Sequence, residues 1–309
     1  MKPWVSFDDI ILVVTYNNPL YGNIGAIELL YRPFFTNIVY CGPEELSSMD
    51  NQFNVTFIKY NQYPQSVNLP PGSSMFQCTA LAMNKYKSNR NAIKGYLLTA
   101  DDALPILRNL AYLPRDQIWY FNSSHFSYYD VSTRKSNSRR WIWWNRNHDH
   151  ISVFMKALQT QTHLQDCRKK LETLTGAPNR ILGGAYADFF YVPSHMSNSF
   201  IDLVNIMKEH KIFLEIAVPT ILLCIHNETK PWIVIKNDSP EYPRVAPWAH
   251  FMSPKRKWNV TYIHPMKWSC LKESESCRDI YCNTILPLYH NKGIENNPNC
   301  KLSKVNQKN

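Results

Sequence analysis

The stretch GYLLTADDALP, residues 95–105, is the clearest indication of the fold in this sequence. Its apolar first half is typical of a short buried strand, and Asp101 and Asp102 follow where that strand ends. In an open α/β sheet, ligands bind beyond the carboxyl ends of the strands. Paired carboxylates supply the oxygen ligands that Mg²⁺ and Mn²⁺ prefer. The stretch therefore predicts a metal site, although a capping Asp-Asp turn before a helix near Ala103 explains the same residues.

The residues that precede this stretch alternate between strand and helix patterns. Asp9 to Thr15 is a continuous β-branched run, typical of a fully buried parallel strand, and Ile24 to Tyr31 has apolar residues at helical spacing. A second strand over Asn37 to Cys41 completes a strand–helix–strand unit, which implies a right-handed parallel crossover. The sequence therefore predicts an α/β fold with a mostly parallel sheet and helices on both faces. A nucleotide base and ribose fit the loop after the first strand, which makes Thr15 and Tyr16 candidate contacts.

Three later segments carry further candidate site residues. Asp188 lies within the Gly-rich segment GGAYADFFYVP, and Glu215 is the single acid in the apolar segment FLEIAVPTILL. A carboxylate in apolar surroundings is either paired or raised in pKa, and both are marks of functional sites. His264 follows a predicted strand and precedes Lys267, a combination that suits a metal ligand and a charge for a phosphate.

Each of these candidates also has a structural explanation. Asp188 fits a solvent-facing position after a tight turn, and Glu215 fits a first-turn charge on a buried helix. A histidine before proline, as at His264, is commonly a turn residue. The aromatic run WIWW, residues 141–144, fits an acceptor-binding surface and the edge of the core equally well.

Composition narrows the class of partner and the compartment. The net charge is +10 with 8 cysteines, and the basic residues are scattered without a nucleic-acid-binding motif, so nucleic acid is not an expected partner. A diphosphate-bearing substrate fits this charge. The cysteines and the Asn-x-Ser/Thr triplets favour a Golgi or ER lumen or secretion. No apolar run reaches the ~18 residues of a membrane span, so an anchor is expected only outside this chain.

Together these elements resemble the glycosyltransferases of the GT-A fold over most of residues 9–268. The middle elements look like those of exostosin-like transferases and of plant STELLO-type proteins. The resemblance is carried by the first buried strand, by the strand running into Asp-Asp like a DxD motif, and by the segments GGAYADFFYVP, FLEIAVPTILL and YIHPMKW. It implies one GT-A-like catalytic domain over residues 1–288. Residues 289–309 are polar and rich in Lys and Asn, which predicts a disordered tail.

The resemblance also implies a nucleotide-sugar donor, most often a UDP-sugar, held through Mn²⁺ or Mg²⁺. Asp102 is the expected metal contact, with Asp101 as a metal or ribose contact and His264 as the third protein ligand. Lys267 or Arg32 is expected to neutralise phosphate. The expected acceptor is a hydroxyl of a glycan or glycoprotein.

For the chemical step of an inverting enzyme, the resemblance implies that an acid, Glu215 or Asp188, takes the proton of the acceptor hydroxyl. Two departures from the family pattern weaken this expectation. The motif reads Ala-Asp-Asp instead of Asp-x-Asp, and Ile216 follows Glu215 where exostosin-like enzymes have Glu-Asp. The alternative is a catalytically inactive, glycosyltransferase-like protein that serves as a lumenal binding or scaffolding protein.

Overall fold

A seven-stranded sheet forms the centre of the computed structural model of this chain. The structure describes residues 5–47, 53–89, 92–121, 126–137, 141–184, 186–238, 260–266, 268, 271 and 274–289. In spatial order, the strands of this sheet are β11 (Ile233–Val234), β6 (Trp119–Tyr120), β10 (Phe189–Pro193), β4 (Gly95–Ala100), β1 (Ile10–Thr15), β2 (Asn37–Gly42) and β3 (Thr56–Lys59).

The strands β1 and β4 lie in the middle of the sheet, and every residue of both is buried. Continuous apolar sequence is typical of such central parallel strands because helices cover both of their faces. The two strands pair in parallel, with Thr15 opposite Ala100, whereas β10 pairs antiparallel to β4, with Phe189 opposite Thr99. The carboxyl ends of β1 and β4 and the beginning of β10 therefore meet at one edge.

Helices cover the sheet, and two small three-stranded sheets flank it. One small sheet contains β12 (Asn237–Asp238), β13 (Tyr262–Ile263) and β5 (Leu104–Pro105), and the other contains β8 (Lys135–Ser136), β7 (Ser127–Asp130) and β9 (Arg180–Gly183). The helices are α1 (Ile24–Tyr31), α2 (Gln77–Lys85), α3 (Leu107–Leu110), α4 (Trp143–Arg146), α5 (His148–Thr160), α6 (Gln165–Thr175), α7 (Ser197–Glu209), α8 (Leu214–Ile225), α9 (Glu275–Ile280) and α10 (Leu286–Tyr289).

Disulfides join elements in both halves of the chain. Cys41 at the end of β2 bonds to Cys78 in α2, and Cys167 in α6 bonds to Cys224 in α8. Cys277 and Cys282 are disulfide-bonded as well. Such bonds indicate an oxidising compartment. Over the part of the chain that the structure describes, no helix has the length and apolar character needed to cross a membrane.

The predicted fold class, a mostly parallel α/β sheet with helices around it, is confirmed. The helix predicted to start near Ala103 is wrong, because Leu104 pairs with Ile263 and the chain forms β5 before α3 begins. The division into a domain and a tail stays a prediction, since residues 290–309 lie outside the described residues. Tyr289, assigned by the sequence to the tail, is buried in α10.

Candidate active site

The pair Asp101 and Asp102 lies at the edge where β4 ends. The backbone N–H of Asp101 donates to the carbonyl of Thr15, 2.8 Å away, which fixes the turn against the end of β1. The Asp102 side chain is 20% exposed, so it is held by the fold and still accessible from solvent. The aspartates thus occupy the place in an open α/β sheet where ligands bind.

His264 lies beside Asp102 although the two are far apart in sequence. The pairing of β13 with β5 carries the histidine there, because Ile263 is opposite Leu104. The Nε2 atom of His264 is 3.2 Å from Oδ1 of Asp102, and its Nδ1 atom is 3.8 Å from Oδ2 of Asp188. The imidazole therefore stands between two carboxylates, one from the end of β4 and one from the beginning of β10.

Asp188 reaches this place because of the loop between β9 and β10. Its carbonyl accepts a hydrogen bond of 2.7 Å from the N–H of Ala100, so the residue lies against the end of β4. Gly184, earlier in the same loop, has φ +73°, a left-handed conformation that favours glycine. The Gly-rich sequence before Asp188 therefore permits a turn that a larger residue would strain.

Glu215 is joined to this loop by a hydrogen bond that depends on Pro219. In a helix, the carbonyl of residue 215 would accept from the N–H of residue 219, but proline has no N–H. The Glu215 carbonyl instead accepts from the N–H of Gly184 at 3.1 Å. The first turn of α8 is thereby tied to the loop that carries Asp188.

The side chain of Asn147 holds the chain just before α8. Its Oδ1 atom accepts from the N–H of Phe213 at 2.9 Å, and its Nδ2 atom donates to the carbonyl of Lys211 at 3.0 Å. Asn147 is fully buried, so both bonds are shielded from water. This amide therefore fixes the start of α8, and with it the position of Glu215 in the first turn.

Glu215 is partly buried among groups that oppose its ionisation. Burial, and next the negative charge of Asp188, raise the pKa of the Glu215 carboxyl to about 7, against the opposing effects of His264 and of a hydrogen bond from Trp141. A carboxyl with this pKa exchanges protons near neutral pH. The arrangement can therefore take up or release a proton beside a cluster of carboxylates.

The aromatic run around Trp141 packs against the beginning of α8. Trp143 stacks on Phe213 with ring centroids 4.9 Å apart, and Trp141 lies 5.8 Å from the same ring. Trp144 is buried and stacks on Tyr129 at 5.2 Å. Trp144 therefore belongs to the edge of the core, which is one of the two interpretations of this run. Trp141 instead contacts the candidate site, because it donates a hydrogen bond to Glu215.

Thr15 and Tyr16 lie at the predicted edge, but their side chains are buried. The Thr15 hydroxyl donates to the carbonyl of Thr99 at 3.4 Å, and the Tyr16 hydroxyl donates to Asn23 Oδ1 at 2.8 Å. The carbonyl of Tyr16 accepts from the hydroxyl of Tyr60 at 3.1 Å. The polar groups of both residues therefore support the fold at this edge.

Arg32 lies at the opposite edge of the sheet, and the structure does not bring it to the aspartates. The reason is that α1 runs back from the carboxyl end of β1 to the beginning of β2, and Arg32 follows α1. Its guanidinium donates to Glu28 at 2.7 Å and to the carbonyl of Thr36, the residue before β2, at 3.0 Å. Lys267, the other predicted phosphate contact, lies outside the described residues.

The donor atoms at this edge fit Mn²⁺ or Mg²⁺ as a partial ligand set. Two ligands about 2.1 Å from one cation at a right angle are about 3 Å apart, close to the 3.2 Å between Asp102 Oδ1 and His264 Nε2. Within the described ranges, no three His, Cys, Asp or Glu side chains form a group that could hold a metal ion. Such cations commonly use one or two protein ligands and complete their shell with substrate phosphates.

The acids and the imidazole are gathered at the carboxyl edge of a mostly parallel α/β sheet, which is where ligands bind in such folds. A family model of STELLO glycosyltransferases matches residues 6–173, more than half of the 309 residues, and the chain belongs to this family. The match includes Asp101 and Asp102 and ends before Asp188, Glu215 and His264. None of the curated proteins compared with this chain matches it.

The sequence did not single out Asn147 or Tyr186 as parts of this site. An asparagine between two helical patterns has no local feature that reports a partner more than sixty positions away, as with Phe213. Tyr186 is 43% exposed and lies between the two glycines and Asp188, so its position within the Gly-rich segment was the available indication. Asn147 and Tyr186 can therefore be assigned to the candidate site only when the fold is known.

Proposed function

We propose that this protein is a metal-dependent glycosyltransferase that moves a sugar from a nucleotide-sugar, a UDP-sugar in the first instance, to a hydroxyl of a glycan or glycoprotein. The observation that carries the proposal is the convergence of Asp102, His264 and Asp188 at the carboxyl edge of the sheet. Membership of the STELLO family supports a transferase of sugars. The disulfides support a site of action in the secretory pathway.

Asp102 and His264 would hold Mn²⁺ or Mg²⁺, with Asp101 as a further carboxylate on the same turn. When bound, the cation supplies positive charge that stabilises the diphosphate leaving group as the glycosidic bond breaks. A cluster of carboxylates in a chain of net charge +10 supports this assignment, because gathering like charges is costly unless a cation compensates them.

Glu215 is the better of the two candidate bases. Asp188 is engaged with the imidazole of His264 at 3.8 Å, whereas the pKa of Glu215, raised by burial to about 7, suits proton uptake near neutral pH. Glu215 would accept the proton of the acceptor hydroxyl as that oxygen attacks the anomeric carbon of the donor sugar, and UDP would leave.

Thermal unfolding in the presence of UDP, GDP and other nucleotides, each with and without Mn²⁺, tests the donor assignment. A ligand that binds the folded state raises the unfolding temperature by mass action. We expect stabilisation by one nucleotide, UDP foremost, only when Mn²⁺ is present. We expect Asp102→Asn to weaken that response by about 10- to 100-fold in apparent affinity.

The matched control is Asp166→Asn, which changes an exposed aspartate on α6 in the same way. It should leave the response to UDP and Mn²⁺ unchanged. Absence of any nucleotide response in the folded native protein would refute the donor assignment. Nucleotide binding without release of UDP from any UDP-sugar, in the presence of acceptor glycans, would favour the inactive binding protein.

A further inference from the structure

The ring of Tyr186 is an exposed aromatic surface beside the carboxylates. It is 43% exposed, while its neighbours Tyr120 and Phe121 are almost fully buried. The ring centroid of Tyr186 lies 5.5 Å from that of Phe121 and 6.4 Å from that of His264. The tyrosine is therefore packed on one side and open on the other, next to the imidazole of the candidate site.

Backbone hydrogen bonds hold Tyr186 and two nearby residues, Gly184 and Asp188. The Tyr186 carbonyl accepts a hydrogen bond of 3.0 Å from the buried hydroxyl of Tyr120. Two residues earlier, Gly184 is bound to the carbonyl of Glu215, and two residues later, Asp188 is bound to Ala100. Because these bonds hold Gly184, Tyr186 and Asp188 in place, less conformational entropy is lost when a ligand contacts the ring.

The place of Tyr186 in the sheet indicates which part of a substrate it meets. The central strand β4 ends at the aspartates, with β1, β2 and β3 on one side and β10, β6 and β11 on the other. Tyr186 precedes β10 and contacts Phe121, which follows β6, so it belongs to the second side. We expect the nucleotide of the proposed donor on the first side, in the loop after β1, because ligands bind beyond the carboxyl ends of the strands.

We propose that Tyr186 stacks against the pyranose ring of the acceptor and so forms an acceptor-sugar binding site. A pyranose presents a face of C–H groups and an edge of hydroxyls. The C–H face complements the electron-rich face of an aromatic ring, and the hydroxyls donate well to carboxylates such as Asp188 and Glu215. A fixed, exposed ring beside carboxylates therefore has the chemistry that recognises a sugar.

This proposal rests on the proposed function for the reaction, but sugar binding can be measured without donor or turnover. The full chain is titrated with the methyl glycosides of glucose, galactose, mannose and N-acetylglucosamine, and binding is followed by saturation-transfer NMR. We expect at least one glycoside to bind, with saturation concentrated on the protons of one ring face. Tyr186→Leu should weaken that binding about tenfold, the typical effect of an aromatic stacking contact.

Two variants serve as controls. Tyr186→Phe keeps the ring and should bind the glycoside within about twofold of the native protein. Tyr112→Leu removes a tyrosine that is 89% exposed and follows α3, and it should bind like the native protein. Unchanged unfolding temperatures in the three variants exclude misfolding as the cause of a loss.

Absence of binding by every glycoside of the panel, or equal binding by the native and Tyr186→Leu proteins, would overturn the proposal. It would also be overturned if Tyr186→Leu abolished the response to UDP and Mn²⁺ and left glycoside binding intact, since the ring would then contact the donor. The donor assignment is tested independently of glycoside binding. It is refuted if UDP with Mn²⁺ does not change the unfolding temperature of the native protein, whether or not the glycosides bind.

Discussion

The two sides of the central strand β4 use their polar residues differently. On the β1 side, made of β1, β2 and β3, the hydroxyls of Thr15, Tyr16 and Tyr60 are buried and donate to other protein groups. On the β10 side, made of β10, β6 and β11, Glu215 is held with a raised pKa and Tyr186 is exposed. The hydroxyls of the β1 side are committed to the fold, whereas on the β10 side the Tyr186 ring is open to solvent and Glu215, which accepts a hydrogen bond from Trp141, has a pKa close to neutral pH.

A position at the carboxyl edge of the sheet therefore does not by itself make a residue a binding residue. Thr15 and Tyr16 occupy that edge, yet their polar groups are committed to Thr99 and Asn23. Glu215 comes from a helix outside the sheet and still reaches the cluster, because Gly184 ties the helix to the loop before β10. Substitutions on the two sides would show whether the chemistry belongs to the β10 side alone.

The largest expected effect is that of Glu215→Gln on turnover. If Glu215 is the base, its amide replacement should lower the rate of UDP release from a UDP-sugar, with acceptor glycoside present, by about 10²- to 10⁴-fold. The response to UDP and Mn²⁺ in thermal unfolding should persist. Glu172→Gln, at an exposed position of α6, is the control and should keep the native rate. Native turnover by Glu215→Gln would remove the catalytic distinction between the two sides.

A second effect is the dependence of stability on pH. The pKa of Glu215 is raised from 4.5 to about 7, so the folded state binds its proton more tightly than the unfolded state does. Proton binding by Glu215 therefore stabilises the folded state relative to its ionised form. This contribution to the free energy of unfolding is fully present below pH 4.5 and is lost as pH rises through 7. Between these two pH values, the free energy of unfolding of the metal-free native protein should therefore fall further than that of the Glu215→Gln variant. The expected difference is on the order of 3 kcal/mol.

Urea unfolding of both proteins at the two ends of the interval measures this difference. Since Gln has no titratable group, the variant supplies the background from all other residues. Parallel stability curves for the native protein and the variant would mean that Glu215 ionises in the folded state as it does in a flexible chain.

Asn147→Ala should destabilise the protein by about 1–3 kcal/mol, because the N–H of Phe213 and the carbonyl of Lys211 lose their buried partner. The matched control is Asn145→Ala, an exposed asparagine of α4, which should change the free energy of unfolding by less than about 0.5 kcal/mol. Chemical denaturation checks both. Equal values for the two variants would show that the start of α8 does not depend on the amide.

The smallest effect is expected on the β1 side. Tyr16→Phe removes one hydrogen bond to Asn23 and should lower the free energy of unfolding by about 1 kcal/mol. Its affinity for UDP with Mn²⁺ should stay at the native value. A loss of nucleotide affinity at unchanged stability would instead return Tyr16 to the list of donor contacts and weaken the comparison.

The parts of this fold that sequence could predict are those specified by local pattern. The run IILVVT in β1 and the run GYLLTA in β4 are apolar throughout, so their burial in a parallel sheet follows from the residues themselves. The strands β5 and β13 are two residues long, and their pairing joins positions far apart in the chain. No local pattern specifies such pairing, which is why a helix was predicted where β5 forms.

The same distinction applies to the candidate site. Asp101 and Asp102 follow a recognisable strand, so their edge position was predictable from sequence. Arg32 was misplaced because its direction is set by Glu28 in α1 and by Thr36 before β2, and helical spacing alone does not say which edge a residue faces. The ring of Tyr186 became a candidate only when its neighbours and its exposure were known.

Pro219 has a further consequence for engineering. Alanine is the usual choice for stabilising a helix that contains proline, with a gain in propensity of about 3 kcal/mol. Here Pro219→Ala would supply an N–H that competes with Gly184 for the carbonyl of Glu215. The substitution that makes α8 a better helix would loosen its attachment to the loop of Asp188, so heat resistance and catalytic rate should move in opposite directions.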